Sequence, residues 1–247
     1  MVLRSAAFMG WFVLATVVVA VLCLPALALH RRASSWVGRT WSRVTLTGLR
    51  VCAGLDYEVR GTPPRGGVLV AAKHMTMWDT LALYLLLDDP AMVLKRELLR
   101  VPFYGWYLKG AGSIAINRAG RAGALRKMSH AAEQVIREGR PVLIFPEGTR
   151  RKPDAPPDYK PGVAGLYAQL DVACIPVALN SGLFWTGPGG FLKKRGRIVV
   201  EFLPPIPAGL KRAEFMAVLR GRIEDATRKL LAEGRALLAR QEARKSV

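Results

Sequence analysis

A chain of 247 residues with 51% apolar side chains can bury the core of a single domain, which excludes a polypeptide too short or too polar to fold alone. Its formal charge of +19 directs it toward polyanions, either an anionic membrane face or nucleic acid. Cys23, Cys52 and Cys174 are odd in number and far apart, so neither a disulfide framework nor a zinc ribbon is indicated.

The N-terminus favours the membrane. Ala6 to Leu29 carries no charge and, as one continuous helix, is long enough to cross a bilayer. Arg4 precedes it, while His30, Arg31, Arg32, Arg39 and Arg43 follow, a cationic excess that puts the remainder of the chain on the cytoplasmic side of an inner membrane. Ala26-Leu27-Ala28 resembles a cleavage site, but the apolar run is longer than that of a signal peptide and its stronger charge lies on the far side, which favours retention. Pro25 leaves a re-entrant helix open beside a spanning one. From Ser34 to Cys52, Trp36, Val37, Trp41, Val44 and Leu46 alternate with Arg39, Arg43 and Arg50, as in a helix of the headgroup layer or in an ordinary core-packing helix. Residues 1–53 are thus expected to form membrane-anchoring helices ahead of a domain over 54–247.

In that domain short β-like runs alternate with helical ones. Strands are predicted around Tyr57-Glu58-Val59 and over Val68–Ala72, Ala91–Leu94, Ser113–Ile116, Val142–Phe145, Ala173–Leu179 and Arg197–Phe202. Helices are predicted over Thr80–Leu87, Gly123–Glu138, Val163–Leu170 and Ala213–Ala243, the last with basic residues on a solvated face. The order gives an α/β fold with a mixed, largely parallel sheet flanked by helices.

His74 follows a strand and precedes a helix, which puts it at the sheet edge where α/β proteins bind ligands. Within one regular helix the H-x-x-x-x-D spacing to Asp79 would set the two side chains about 140° apart. They meet if His74 lies just outside the helix and Asp79 in its first turn. Asp79 then accepts the Nδ1 proton and leaves Nε2 as a base for a substrate hydroxyl. By itself the motif is weak, and for a lone H-x-x-x-x-D a structural histidine beside a helix-terminal aspartate is the commoner case. Phe145-Pro146-Glu147-Gly148-Thr149-Arg150 also follows a strand and so shares that edge, with Gly148 permitting a tight turn and Arg150 able to hold a phosphate through two parallel hydrogen bonds.

These segments resemble the PlsC-type glycerolipid acyltransferases, the 1-acyl-sn-glycerol-3-phosphate acyltransferases. His74 and Asp79 match the family's H-x-x-x-x-D block, Gly112–Arg118 its second block, Phe145–Arg150 its third and Ile175–Leu179, with Pro176, its fourth. They occur in the family's order. The resemblance implies that His74, oriented by Asp79, deprotonates the sn-2 hydroxyl of lysophosphatidic acid, which takes an acyl chain from acyl carrier protein or coenzyme A. It implies that Arg118 and Arg150, with Lys95 and Lys160, hold the acceptor's phosphate, while Glu147, Gly148 and Thr149 shape the loop. Asn117 and the Lys160-Pro161-Gly162 run depart from the usual pattern, so the acceptor is less fixed than the reaction class. No cofactor is implied, and His30, His74 and His130 give no histidine-rich metal site.

Membrane lipids are the expected partners, with Trp36, Trp41, Phe184, Trp185 and Phe191 as interfacial anchors. Another lyso-lipid, or glycerol 3-phosphate, is an alternative acceptor. A non-enzymatic, basic lipid-binding protein would explain the charge but not the ordered blocks, and no nucleic-acid motif accompanies the charge.

Overall fold

A computed structural model describes residues 1–117, 121–186 and 190–244. It begins with two helices, α1 (Val2–Leu22) and α2 (Arg31–Gly48). α1 stops just before Pro25, which sits in the first turn of a short 3-10 segment, Leu24–Ala28. α2 runs into a π-helical turn, Leu49–Ala53, that ends at Gly54 in the left-handed conformation with φ 65°. α2 buries small side chains on two sides, with Ser35 accepting the Tyr84 hydroxyl at 3.2 Å and Gly48 letting α1 approach closely. A Cβ on Gly48 would lie 1.9 Å from the Trp11 ring. Trp11 Nε1 donates to the Val44 carbonyl at 3.1 Å, and Trp41 Nε1 to Thr16 Oγ1 at 3.0 Å.

α1 also touches the rest of the molecule at both ends. Near its start, Ser5 Oγ accepts the Lys193 amide at 2.9 Å and Phe8 meets the Trp185 ring edge-on at 5.6 Å. Near its end, the Tyr107 hydroxyl donates to the Ala20 carbonyl at 3.0 Å. Between them Val13, Leu14, Val17 and Val18 stay exposed, as do Trp36 and Val51 further along. By length and composition α1 is apolar enough to cross a membrane.

Seven strands follow: β1 (Leu55–Arg60), β2 (Leu69–Ala72), β3 (Ala91–Lys95), β4 (Ile114–Ile116), β5 (Val142–Ile144), β6 (Cys174–Leu179) and β7 (Gly196–Phe202). They form one sheet in the order β1-β7-β6-β2-β5-β3-β4. All pairings are parallel except β6 with β7. The intervening helices are α3 (Met77–Leu86), α4 (Tyr104–Gly110), α5 (Arg121–Arg137) and α6 (Gly162–Leu170), and α7 (Arg212–Ala243) follows the last strand.

Alternation along β2 sends its side chains into two cores. Val70 and Ala72 join Trp78, Leu81 and Leu46 on one face, while Leu69 and Ala71 join Val135, Leu166 and Phe215 on the other. Both faces are covered, and the central strands are accordingly apolar throughout. Because β2, β3, β5 and β6 run parallel, the residues after their C-terminal ends share one edge. Those residues are Lys73-His74, Arg96, the Phe145–Arg150 loop and Asn180-Ser181.

The α/β class and the mostly parallel sheet are as expected, with differences in detail. α3 starts at Met77 rather than Thr80 because Thr76 caps it. α4 and the 3-10 turn Arg96–Arg100 were not anticipated, since neither is long enough to display a helical period. Phe184 and Trp185 do not reach the membrane interface: both are buried in the core, Trp185 beneath Phe8. Phe191 is exposed.

Candidate active site

The turn between β2 and α3 builds the site. Thr76 is the N-cap of α3, and its Oγ1 accepts the Trp78 amide at 3.2 Å. Asp79 stands at the third helical position, and its carboxylate reaches back over the turn in a capping box. Oδ2 accepts from the Met75 amide at 2.6 Å, the Thr76 amide at 2.8 Å and His74 Nδ1 at 3.0 Å. Oδ1 accepts the Ser181 hydroxyl at 2.5 Å, with Thr76 Oγ1 at 3.2 Å. Asp79 is wholly buried, so these donors and the N-terminal dipole of α3 replace its water. An acceptor-only carboxylate facing Nδ1 fixes the tautomer with the proton there, and Nε2 keeps its lone pair.

His74 is held by its backbone and ring as well. Its amide donates to Glu147 Oε2 at 3.2 Å, and its carbonyl accepts the Arg151 amide at 2.8 Å. The imidazole stacks on Phe145 with ring centres 4.0 Å apart and planes 20° apart. The loop after β5 therefore positions the histidine through a carboxylate, an amide and an aromatic face.

Beneath it lies a buried charge cluster. Lys73 Nζ donates to Glu147 Oε1 and to Glu224 Oε1 of α7, each at 2.8 Å, and the Tyr159 hydroxyl donates to the same Glu224 oxygen at 2.9 Å. Burial pushes the Glu147 carboxyl above its usual range, and the Lys73 ammonium opposes that shift. Burial, followed by the Glu224 charge, pushes the Tyr159 hydroxyl up and keeps it a donor.

The predicted anion-binding residues are dispersed. Lys95 ends β3 and is exposed. Arg150 is half-buried in the loop after β5, and its charge opposes the upward shift that burial imposes on Tyr104 in α4. The Lys160 amide donates to the Pro146 carbonyl at 2.8 Å, but its ammonium is exposed and paired with Asp158 at 2.7 Å. Arg118 lies outside the described residues. Gly148 has φ 66° and its amide donates to the Phe145 carbonyl at 2.9 Å, closing the turn, while Thr149 is exposed. Pro176 lies deep in β6 beside Ala71, and its carbonyl accepts the Leu203 amide at 3.0 Å where the ladder to β7 is interrupted. Among the described residues no group of three or more His, Cys, Asp or Glu side chains could hold a metal ion.

Sequence reasoning missed Lys73, Ser181, Tyr159 and Glu224. Lys73 and Ser181 carried a signal, each being a polar residue next to or soon after a buried strand that ends on the site's edge. Glu224 carried none, since it comes from a helix remote in the chain. An apolar cavity of about 300 Å³ lies next to the site, with Val17, Val37, Trp41, Leu81 and Tyr84 among its walls. Thr80, the neighbour of Asp79, also lines it.

The chain is similar to known proteins in sequence and in fold. The family model described as acyltransferase matches residues 56–180, which contain His74, Asp79 and the Phe145–Arg150 loop. The chain is 34% identical over 200 residues to the 1-acyl-sn-glycerol-3-phosphate acyltransferase of Pseudomonas aeruginosa, covering 80% of this chain and 77% of that one. It is 29% identical over 184 residues to the lyso-ornithine lipid O-acyltransferase of the same organism, covering 67% of this chain and 70% of that one. The crystal structure of PlsC from Thermotoga maritima superposes with a TM-score of 0.74 at 20% identity, covering 92% of this chain and 96% of that one. The chain belongs to the PlsC-type acyltransferase family.

Proposed function

We propose that this protein acylates the sn-2 hydroxyl of lysophosphatidic acid to give phosphatidic acid, as one step of phospholipid synthesis. The observation that carries the reading is the buried His74–Asp79 pair, which leaves Nε2 as a base at the sheet edge that also carries the Phe145–Arg150 loop. His74 Nε2 takes the proton of the acceptor hydroxyl as its oxygen attacks the thioester carbonyl carbon. The tetrahedral centre then collapses with cleavage of the C–S bond, and the imidazolium proton passes to the departing sulfur. No redox step or cofactor enters this balance. Arg150 and Lys95, with Arg118 and Lys160 as further candidates, would hold the acceptor's phosphate, and the apolar cavity would take an acyl chain.

The acceptor reading is supported by the name of the Pseudomonas aeruginosa relative at 34% identity. The acyl donor is a thioester of acyl carrier protein or of coenzyme A. We further infer that residues 1–53 anchor the domain of residues 54–247 to the cytoplasmic face of the inner membrane. Contacts at both ends of α1 lay that helix along the domain, a position suited to embedding its exposed valines in one leaflet. Purified protein given a labelled acyl thioester should acylate lysophosphatidic acid in preference to lyso-ornithine lipid and glycerol 3-phosphate. Transfer to another of these acceptors and not to lysophosphatidic acid would refute the acceptor assignment.

A further inference from the structure

A second cavity, of about 460 Å³, opens beside the His74 loop. Its walls include Met75, Arg151, Lys152, Ala155, Gly182 and Thr186. It lies within the size range of ligand pockets, roughly 300–1,000 Å³. Three of these residues are tied directly to the site. Met75 adjoins His74, the Arg151 amide donates to the His74 carbonyl at 2.8 Å, and Gly182 adjoins Ser181, whose hydroxyl binds Asp79 at 2.5 Å.

The pocket is preformed. Asp154 pairs with Arg235 of α7, Arg151 Nη2 donates to the Pro156 carbonyl at 3.0 Å, and the Ala155 amide donates to the Lys152 carbonyl at 3.1 Å. The loop rests against the turn after β6 so closely that a Cβ on Gly182 would lie 2.8 Å from Pro153 Cγ and 3.1 Å from Met75 Sδ. One donor in this wall is unused: Arg151 Nε is buried with no hydrogen-bond partner. Lys152 beside it is exposed.

One wall of this pocket, Gly182 after β6, lies across β2 from Lys95 of β3, while the other, Arg151 and Lys152, continues the loop from Arg150 past the His74 carbonyl. β2, which delivers His74, lies between β6 on one side and β5 followed by β3 on the other. Arg150 and Lys95 follow β5 and end β3, while Gly182 follows β6. Thr80, the neighbour of Asp79 in α3, lines the apolar cavity. A thioester whose acyl chain lay in that cavity could run its other end past Met75 and Gly182 toward Arg151 and Lys152, which line the second pocket.

We propose that this pocket binds the phosphopantetheine arm of the acyl donor, with Arg151 and Lys152 meeting its phosphate. Acyl-coenzyme A and acyl carrier protein both carry that arm, and the inference rests on the acyl-transfer reading above. It assigns the donor a cation set distinct from that of the acceptor.

The test uses full-length protein and two non-hydrolysable probes, an S-hexadecyl thioether of coenzyme A and the same thioether on the phosphopantetheine of acyl carrier protein. Ala155→Trp fills the pocket and should abolish binding of whichever probe the unaltered protein binds, which also identifies the donor. Lys152→Glu, on an exposed side chain, should weaken binding about tenfold, as loss of a charge-assisted hydrogen bond implies. It should raise the KM for the thioester and leave the KM for lysophosphatidic acid unchanged. Binding of neither probe by the unaltered protein, equal Kd values in all three proteins, or a rise confined to the lysophosphatidic acid KM overturns the proposal. Failure of the acceptor reading looks different, since the probes would then bind in the predicted order while no phosphatidic acid forms.

Discussion

Lys73 Nζ and Glu147 Oε1 lie 2.8 Å apart in a buried ion pair immediately beneath the histidine loop. Glu147 also holds the His74 amide, so the pair connects the stability of the sheet edge to the placement of the base. Replacing Lys73 with Met leaves two carboxylates without their cation and should destabilise the fold by about 3–5 kcal/mol. Adding Glu147→Gln to that variant should restore part of the loss, because the buried charge is then removed. Chemical denaturation of the single and double variants measures both, and a Lys73→Met protein of unaltered stability would contradict the assignment.

The same carboxyl gives a pH signature. The folded-state pKa of Glu147 is raised, so its contribution to stability is fully present below the unfolded value near 4.5 and is lost as pH rises through the folded pKa. Glu147→Gln has no such titration. In thermal melts the unaltered protein should lose stability relative to Glu147→Gln as pH climbs from about 4.5. A pH-independent difference would exclude Glu147 as the titrating group.

Ser181 donates to Asp79 and accepts the Thr76 hydroxyl at 3.1 Å, so it acts on His74 through these neighbours and is a positioning residue. Ser181→Ala removes a 2.5 Å hydrogen bond to a buried carboxylate and should cost about 1–3 kcal/mol of stability. The freed Asp79 orients His74 less well, which should lower kcat with little change in either KM. A variant whose only kinetic defect is a raised KM would point to substrate contact instead.

The sequence made the His74–Asp79 pair legible because it is local: one strand end, one cap and one helical turn fix it, and each leaves a sign in consecutive residues. The cluster below is another matter. Lys73 is 74 residues from Glu147 and 151 from Glu224, and the three meet only because β2, β5 and α7 converge. α7 looked like a basic, solvated helix, yet Phe215, Leu219, Ile223 and Leu230 of that helix are buried, and it delivers Glu224. Phe184 and Trp185 were misread because aromatic composition marks a membrane interface and a core equally well, and the docking of α1 over them is a tertiary event.

Arg150 supplies a test of the acceptor's phosphate. Arg150→Ala should raise the KM for lysophosphatidic acid strongly, leave the KM for the thioester unchanged and have little effect on acylation of a monoacylglycerol, which lacks the phosphate. Equal losses with both acceptors would remove Arg150 from phosphate binding.

Docking of α1 has its own reporter in Lys193. Its ammonium donates to the carbonyls of Gly190 and Phe191 at 2.9 Å each and lies 4.2 Å from the centre of the Trp185 ring. Burial pushes it down to about 8 from its usual 10.5. A lowered folded-state pKa gives a contribution fully present above 10.5 and lost as pH falls through about 8. Stability relative to Lys193→Met should therefore rise with pH across that window, and a flat difference would contradict it.

The central claim is that His74 is the base for transfer to lysophosphatidic acid. The most direct measurement is phosphatidic acid formation from labelled acyl thioester and lysophosphatidic acid by the unaltered protein and by His74→Ala, with circular dichroism and liposome binding as controls. The unaltered protein should form phosphatidic acid, and the variant should be slower by about 10²–10⁴-fold or inactive, with fold and liposome binding intact. Formation of phosphatidic acid by His74→Ala at the unaltered rate would contradict the account.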